Sequence, residues 1–539
     1  VRGLRLASSA FALGVLLLAS GCSTLPANDD RTASYALPDD GTTVLDRVAA
    51  ASAPVATAPV SATNTPTDVV PPPSSGFQLI GAGSQAFGTL ATLIANAKRS
   101  LDLQYYIVQD DPYARALLRA VREAAERGVR VRILIDDLYT TGKDDRIAWY
   151  SAHPNIEVRV FNPFTNGRPW LLTRLASSVT DLGRINHRMH NKVLIADNAF
   201  AVTGGRNIGA EYYTRSEKTN FVDIDVLVAG PVTKDLSAAF DRYWNSRYAY
   251  PIETLIGKQA PAETVDSRAL ADPNDPVLAA AAEARENGAP LQKEIDAGRV
   301  AMVVAPATLH VDRPSKVDHT APKNLANGER AGATIASDVL TIIKRAQREV
   351  IIVSPYFVPG KQGVEVLREM MARGVKVRIV TNSLSATDAT VVHIGYSHYR
   401  LPLLKLGAEI YEVRAEPGHE RENLSTVGSS KASLHAKVIV VDRDAVFIGS
   451  FNADQRSTYE NTEMGVEIAS PALAEQVIER LRSRGEEGRY HVMLDGDGKL
   501  VWTTKDGDTE RVYHDEPEVG PALKLTLELL APFAPEVML

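Results

Sequence analysis

Only one cysteine, Cys22, occurs among the 539 residues, which excludes an intramolecular disulfide and a cysteine-ligated zinc site. Positive charge is not in excess either. Against 66 Asp and Glu stand 59 Lys and Arg, a net charge of −7 with an isoelectric point near 6.0. No bulk positive field draws such a chain to nucleic acid or anionic lipid, so any site for a polyanion has to be local. Apolar runs of roughly 18 residues are missing and mean hydropathy is −0.12, which excludes a polytopic membrane protein. Glycine (36) and proline (30) stand at ordinary globular levels, so collagen-like structure and wholesale disorder are excluded too. The length corresponds to three or four units of about 150 residues each, enough for a sizeable core.

What is present begins with an address. Arg2 and Arg5 precede the apolar run from Ala10 to Leu18, and Ala19-Ser20-Gly21-Cys22 follows. A basic start, a short apolar stretch and small residues before a cleavage point make a signal peptide pattern. With the only cysteine directly after the small residues, the segment resembles a bacterial lipobox, which implies that Cys22 is lipidated as the first mature residue. Stable anchoring then needs no spanning helix, since each buried CH₂ contributes ~0.8 kcal/mol. Ser23 rather than Asp after the cysteine favours the outer membrane, with the body facing the periplasm. From Ser23 to Ser75 the chain is rich in Pro, Ala, Thr and Ser and is expected to be a disordered tether.

From Gly76 onward two halves can be laid over each other. Leu90 to Lys98 leads into Leu101–Ile107, as Ile342 to Gln347 leads into Val350–Tyr356. Ala114 to Arg127 is followed by Gly128 and the β-branched run to Asp136; Val364 to Arg373 is followed by Gly374 and the run to Asn382. Helical spacing that ends at glycine before a β-branched run indicates helix-to-strand crossover units. An α/β fold with mixed, largely parallel sheets is the expectation.

The third element of each half carries polar residues that packing does not require. His190-Asn191-Lys192 through Asp197 and His435-Ala436-Lys437 through Asp442 both spell H-x-K-x-x-x-x-D, and Gly204 and Asn207 recur in register as Gly449 and Asn452. Asp223 aligns with Glu463 after a loop shortened by five residues. A single H-x-K could be a solvated strand end; two complete sets in register argue for a site. Alternate residues of a strand share a face, so each histidine points the same way as its lysine.

Two half-sites about a pseudo-twofold axis would form one pocket suited to a phosphodiester. Lys192, Lys437, Asn207 and Asn452 would donate to the non-bridging oxygens without a metal or other cofactor. One histidine would attack phosphorus and the other protonate the leaving oxygen, through a phosphohistidine intermediate. Asp223 and Glu463 are the candidates to fix the histidine tautomers. Asp197 and Asp442 complete the motifs and are counted with His190, Lys192, His435 and Lys437 in the catalytic set, although they follow an apolar strand to its far end, where they are expected to buttress loops rather than touch phosphate.

On these residues the chain resembles the phospholipase D superfamily with two H-x-K motifs, and within it the bacterial cardiolipin synthases of the C type. Further support lies in Asp102–Ile107, Arg188–Lys192, Gly204–Gly209 and Asp312–Lys316. His187 departs from the arginine common in relatives. The resemblance implies two phospholipase D-like α/β/α halves sharing one active site, with His190 as nucleophile and His435 as acid. It also implies phosphatidyl transfer between phospholipids, with phosphatidylglycerol or phosphatidylethanolamine as donor. A phospholipase D hydrolase, a phosphodiesterase or nuclease, and a non-catalytic envelope lipid-binding protein stay open as alternatives, and a partner protein needed for activity is compatible with the sequence. The acidic chain without basic runs argues against a nucleic acid substrate.

The expected organisation is a signal peptide at 1–22, a tether at 23–75, a first half at 76–251, an inter-half segment at 252–330, a second half at 331–485 and a C-terminal hairpin and tail at 486–539. The inter-half segment is read as a linker, and His393, Tyr396, His398 and Arg400 as ordinary surface groups.

Overall fold

The computed structural model describes residues 25–29, 31–54, 72–165, 167–170, 172–174, 181–257, 275–318, 334–415, 431–483 and 485–520. Cys22, the signal peptide and the amphipathic end from Leu523 to Leu530 lie outside the described residues.

The first repeat contains β1 (Ser74–Ile80), β2 (Ser100–Tyr105), β3 (Arg130–Asp136), β4 (Ile156–Phe161), β5 (Val193–Ala196), β6 (Phe200–Gly204), β7 (Thr219–Val222), β8 (Asp225–Ala229) and β9 (Ala249–Pro251). The second contains β10 (Val303–Val311), β11 (Glu349–Val353), β12 (Lys376–Asn382), β13 (Glu409–Val413), β14 (Lys431–Leu434), β15 (Val438–Val441), β16 (Ala445–Gly449), β17 (Met464–Ile468) and β18 (Arg489–Leu494), followed by β19 (Leu500–Asp506) and β20 (Thr509–Tyr513).

Sheet order in the first repeat is β1-β8-β6-β5-β2-β3-β4-β9. In the second it is β10-β17-β16-β15-β11-β12-β13-β18, the same arrangement strand for strand. Within this sheet, among the described residues, parallel strand pairing is confined to β2-β3-β4 and β11-β12-β13, so the sheet is mixed but not largely parallel. Crossover helices enforce parallel pairing only where they occur. The strand after each H-x-K motif turns straight back on itself through a left-handed pair, Asp197-Asn198 or Asp442-Arg443, and pairs antiparallel. Helices Pro112–Glu126 and Gly360–Ala372 pass into β3 and β12 through Gly128 (φ 95°) and Gly374 (φ 86°), a backbone conformation that favours glycine.

β10 joins the repeats. Its start pairs with β1 (Val303 opposite Phe77) and its end with β17 (Val311 opposite Met464), making one 18-stranded sheet. The second repeat therefore begins at Val303 rather than at residue 331, and it extends through β18 rather than stopping at 485. The inter-half segment is correspondingly no plain linker, for helix Pro276–Asp296 also packs on helices Gly83–Asn96 and Pro112–Glu126. β5 and β15 alternate sides: Val193, Ile195, Val438 and Val440 share one apolar core between the repeats, whereas Leu194 and Ile439 face the helices of their own repeat.

Two other sequence expectations are corrected. The described residues 25–29 and 31–54, assigned to a disordered tether, pack against the first repeat. Thr43 caps helix Val44–Ser52 in a reciprocal capping box with Asp46, and Leu45, Val48 and Ala49 are buried at helical spacing. Ahead of the helix, backbone carbonyls of Thr32 and Ser34 accept from the buried guanidiniums of Arg159 (2.6 Å) and Arg132 (2.9 Å). Alanine- and threonine-rich composition hid this short apolar face. The second correction concerns helix Thr390–Leu406: His393, Tyr396 and Arg400 are buried and only His398 is exposed. Arg400 pairs with Glu412 (3.3 Å) and with Glu516, while Tyr396 (2.9 Å) and Trp502 (3.0 Å) also donate to Glu412. The cluster ties the C-terminal strands to the second repeat.

If the arm from 25 to 54 is part of the folded body, Leu45→Ala removes a fully buried side chain and should cost about 2–5 kcal/mol in denaturant unfolding. A tether residue would cost nothing measurable.

Candidate active site

Backbone pairing between the repeats sets the geometry. β14 runs parallel to β7 with Leu434 opposite Val222, so the next residues, His435 and Asp223, become neighbours. A parallel bridge between Met189 and Thr462 does the same for His190 and Glu463. His190 N–H donates to Thr462 O (2.9 Å) and His435 N–H to Val222 O (2.8 Å). In both cases the acceptor is the residue just before a carboxylate of the other repeat.

The side chains cross in the same way. His190 Nδ1 lies 2.9 and 3.1 Å from the Glu463 carboxylate oxygens, and His435 Nδ1 lies 2.5 Å from Asp223 Oδ2. Each carboxylate thus serves the histidine of the opposite repeat, a pairing that the sequence alignment of Asp223 with Glu463 does not disclose. Lys437 Nζ also lies 2.9 Å from His435 Nδ1. With Asp223 closer, the Nδ1 proton belongs to the carboxylate contact, and the Lys437 ammonium donates to His435 O. Lys192 donates to His190 O at 2.5 Å. Engagement of Nδ1 makes Nε2 the nitrogen for chemistry in both rings.

The two carboxylates are supported differently. Glu463 accepts from Ser450 Oγ (2.5 Å) and Ser457 Oγ (2.8 Å), and its backbone N–H donates to Asp312, which also accepts from Lys316 (2.7 Å). Gly205 occupies the position equivalent to Ser450, and a Cβ there would stand 2.2 Å from Asp223 Oδ1. The shorter carboxylate comes so close that only glycine fits.

Asn207 donates through Nδ2 to Tyr212 Oη (2.9 Å) and accepts from Ile107 N–H (3.1 Å), so its amide braces the turn. Asn452 is buried with Oδ1 unpartnered. Asp197 and Asp442, counted with the catalytic set from the motif, are corrected to loop supports, for their carboxylates are taken by backbone N–H groups and not by the histidines. Asp197 accepts from the N–H groups of Lys98, Arg99 and Ser100, and Asp442 from those of Gln347, Arg348 and Glu349. His187 contacts Glu460 of the other repeat through both ring nitrogens, at 3.0 and 2.9 Å.

Residues to which the sequence assigned no site role complete the walls. Tyr106 packs edge-on against His190 (4.9 Å between centroids), and Tyr212 and Phe221 pack against His435 (5.3 and 4.9 Å). Tyr356 donates to Asp388 at 2.8 Å. Tyr106 lies within the segment Asp102–Ile107 already quoted for the resemblance, just past the end of β2; the two serines beneath Glu463 are ordinary loop residues in sequence.

Burial dominates the electrostatics. It pushes His190 down to about 4 against the opposing pull of Glu463, and it lowers His435 with help from Lys437. Burial also presses on Asp223, yet the His435 contact prevails and holds it at about 2; Glu463 is likewise lowered despite burial, by His190. Burial lowers Lys192 and brings Lys437 down to about 8. Both imidazoles are therefore neutral near pH 7 beside two anionic carboxylates. Among the described residues, no group of three or more His, Cys, Asp or Glu could hold a metal ion.

A duplicated α/β unit with one histidine–lysine pair per copy, each histidine held across the interface, defines a two-motif protein of the phospholipase D-like class. The chain belongs to the family described as "Cardiolipin synthase, PLD-like domain", which matches residues 90–244 and 339–484. It is similar to cardiolipin synthase C of Escherichia coli (strain K12), with 37% identity over 439 residues covering 80% of this chain and 89% of that protein. Similarity to cardiolipin synthase A of Pseudomonas entomophila (strain L48) is 24% over 416 residues, covering 76% and 69%. Among solved structures, phosphatidylserine synthase of Haemophilus influenzae Rd KW20 shares the fold, with a TM-score of 0.55 at 14% identity over 86% of this chain and 95% of that one.

Lys437 generates a stability prediction. Its ordinary value of 10.5 falls to about 8 through burial, and at ~1.4 kcal/mol per pH unit the buried ammonium costs on the order of 3 kcal/mol at neutral pH. Lys437→Met should raise the thermal midpoint while abolishing turnover. The unfolded chain holds this proton more tightly between pH 8 and 10.5, so the native protein gains stability as pH rises through that window and the advantage of the variant shrinks. A midpoint lowered at pH 7 would sink the account.

Proposed function

We propose that the protein is a phosphatidyl transferase of the cardiolipin synthase type, working through a phosphohistidine. The observation that carries the reading is the crossed pair of buried, neutral imidazoles, each held at Nδ1 by a carboxylate. His190 Nε2 attacks the phosphorus of a phospholipid, and the bond to the headgroup oxygen breaks as His435 Nε2–H gives that oxygen its proton. His435 must be protonated for this step, and the negative charge of the bound phosphodiester favours that state against burial. Lys192 and Lys437 meet the charge on the non-bridging oxygens. In the second half-reaction neutral His435 takes the proton of an incoming lipid hydroxyl, whose oxygen attacks phosphorus and frees His190.

With phosphatidylglycerol as both donor and acceptor, the products are cardiolipin and glycerol; phosphatidylethanolamine as donor releases ethanolamine instead. Similarity to cardiolipin synthase C supports a phospholipid substrate; the particular donor and acceptor are part of the proposal. An acyl anchor on Cys22, on the periplasmic side of the envelope with the outer membrane favoured, would hold the body at the bilayer. A partner protein that activates transfer is compatible with the same reading.

The test is lipid turnover in mixed micelles of phosphatidylglycerol with and without phosphatidylethanolamine, with products resolved by mass. The parent should form cardiolipin. Because the two histidines act as a unit, His190→Ala and His435→Ala should each lower the rate on the order of 10³-fold rather than by half. Phosphatidic acid as the main product would make the protein a hydrolase, and no product from either lipid would point to a missing partner or a wrong substrate class.

A further inference from the structure

The two repeats also differ in how the space beneath their paired helices is filled. In the first, Phe87, Tyr113 and Tyr213 form a ring cluster with centroids 5.3 and 4.9 Å apart. Helix Pro276–Asp296 lies over it: Tyr113 Oη meets Glu283 at 3.0 Å, and a Cβ on Gly88 would stand 2.3 Å from the Asn287 backbone. The space between helices Gly83–Asn96 and Pro112–Glu126 is filled.

Register gives the counterparts. Phe87 and Ala336 stand equally far before Ser100 and Glu349, which open β2 and β11. Tyr113 and Pro359 stand equally far before Arg130 and Lys376, which open β3 and β12. Tyr213 and Thr458 stand equally far after Asn207 and Asn452. Three aromatic rings are thus replaced by a methyl group, a pyrrolidine and a threonine. All three replacements line a cavity of 330 Å³ together with Val339, Ile343 and Leu367, a volume within the ~300–1,000 Å³ of small-molecule sites. Among the described residues, no counterpart of helix Pro276–Asp296 crosses helices Ile335–Lys344 and Gly360–Ala372.

We propose that this cavity holds an acyl chain of the phospholipid whose phosphodiester lies at the histidine pair, an inference that rests on the phospholipid reading above. In the first repeat the same space is occupied by aromatic rings, one Phe and two Tyr, and most of the lining in the second is aliphatic or aromatic, so its natural filling is largely apolar. Phe451 and Ala453 form part of the wall, and Asn452 stands between them in the chain, so one short turn serves both the cavity and the site. Exposed Lys361 and Gln362 stand at the rim, an ammonium and an amide suited to the anionic surface from which such a lipid comes. The repeat that lost its aromatic filling has become the chain-binding side, and the other remains a solid support.

Two measurements separate this inference from the functional reading. Ala336→Phe, which restores the ring found in the first repeat, and Leu340→Trp, which enters from the partly exposed wall, should each lower turnover of dioleoyl-phosphatidylglycerol at least about tenfold. Turnover of the soluble dihexanoyl lipid should stay within about twofold, with the thermal midpoint checked for both variants. Unchanged long-chain turnover in both folded variants would overturn the cavity's role. Independently of turnover, phosphatidylglycerol with a diazirine near its acyl terminus should cross-link the His190→Ala protein at residues of this cavity, and Ala336→Phe should abolish those cross-links. Labelling elsewhere, or labelling here by a diazirine fatty acid but not by the phospholipid, would overturn the inference. Cavity cross-links from a parent that turns over neither lipid would leave the chain site standing and remove the transferase reading.

Discussion

Two hydrogen bonds between a carboxylate and an imidazole, each crossing from one repeat to the other, hold the rest of the molecule to its form. Asp223 and Glu463 are fully buried, and a buried anion deprived of its partner typically costs 3–5 kcal/mol. The repeats therefore have little freedom to slide or rotate. The parallel pairing of β7 with β14, the Met189–Thr462 bridge and the strand β10 shared by both halves of the sheet all serve the same alignment. Charges of one half-site are felt in the other, since Lys437 bears on His190 and Asp223 on Lys192. The site is a single electrostatic unit assembled from two frames.

Symmetry in the frames coexists with asymmetry in the fittings. Asp223 comes close enough to require Gly205, whereas the longer Glu463 reaches His190 with two serine hydroxyls beneath it. The H-x-K pairs are alike, but the supports under their carboxylates are not. A similar contrast separates the filled groove of the first repeat from the open cavity of the second. Packing quality is therefore unequal, and the tighter first repeat, with its helix Pro276–Asp296 and N-terminal arm, is the more heavily braced.

Much of this was legible in the sequence for a physical reason. His190, Lys192, His435 and Lys437 cannot be explained by strand packing, and their repetition in register exposed both the duplication and the site. Asp197 and Asp442 were readable as loop supports because an apolar strand separates each from its histidine, and three backbone N–H donors at each carboxylate match that expectation. The crossing of Asp223 and Glu463 was not readable, because an alignment pairs equivalent residues and carries nothing about which face meets which. Strand direction was overread from the helical crossovers, which govern only the centre of each repeat. Leu45 and Val48 were lost in alanine-rich composition, and Arg400 gave no sign that Glu412 and Glu516, far apart in sequence, would meet it. Asn207 carries a residue type suited to phosphate, yet neighbouring groups have claimed both ends of its amide.

The crossed pairing also constrains how such a protein can be inherited. A lone copy of either half presents one imidazole without its carboxylate and one carboxylate without its imidazole, so neither half retains a reduced version of the chemistry. Two copies of the first half facing each other would put an aspartate and a glycine on both sides, and two copies of the second a glutamate and a serine. The present arrangement is neither: each half has become the other's complement, a lock whose two parts were cut from one pattern and no longer interchange. A substitution in one half is therefore felt through its fit to the other.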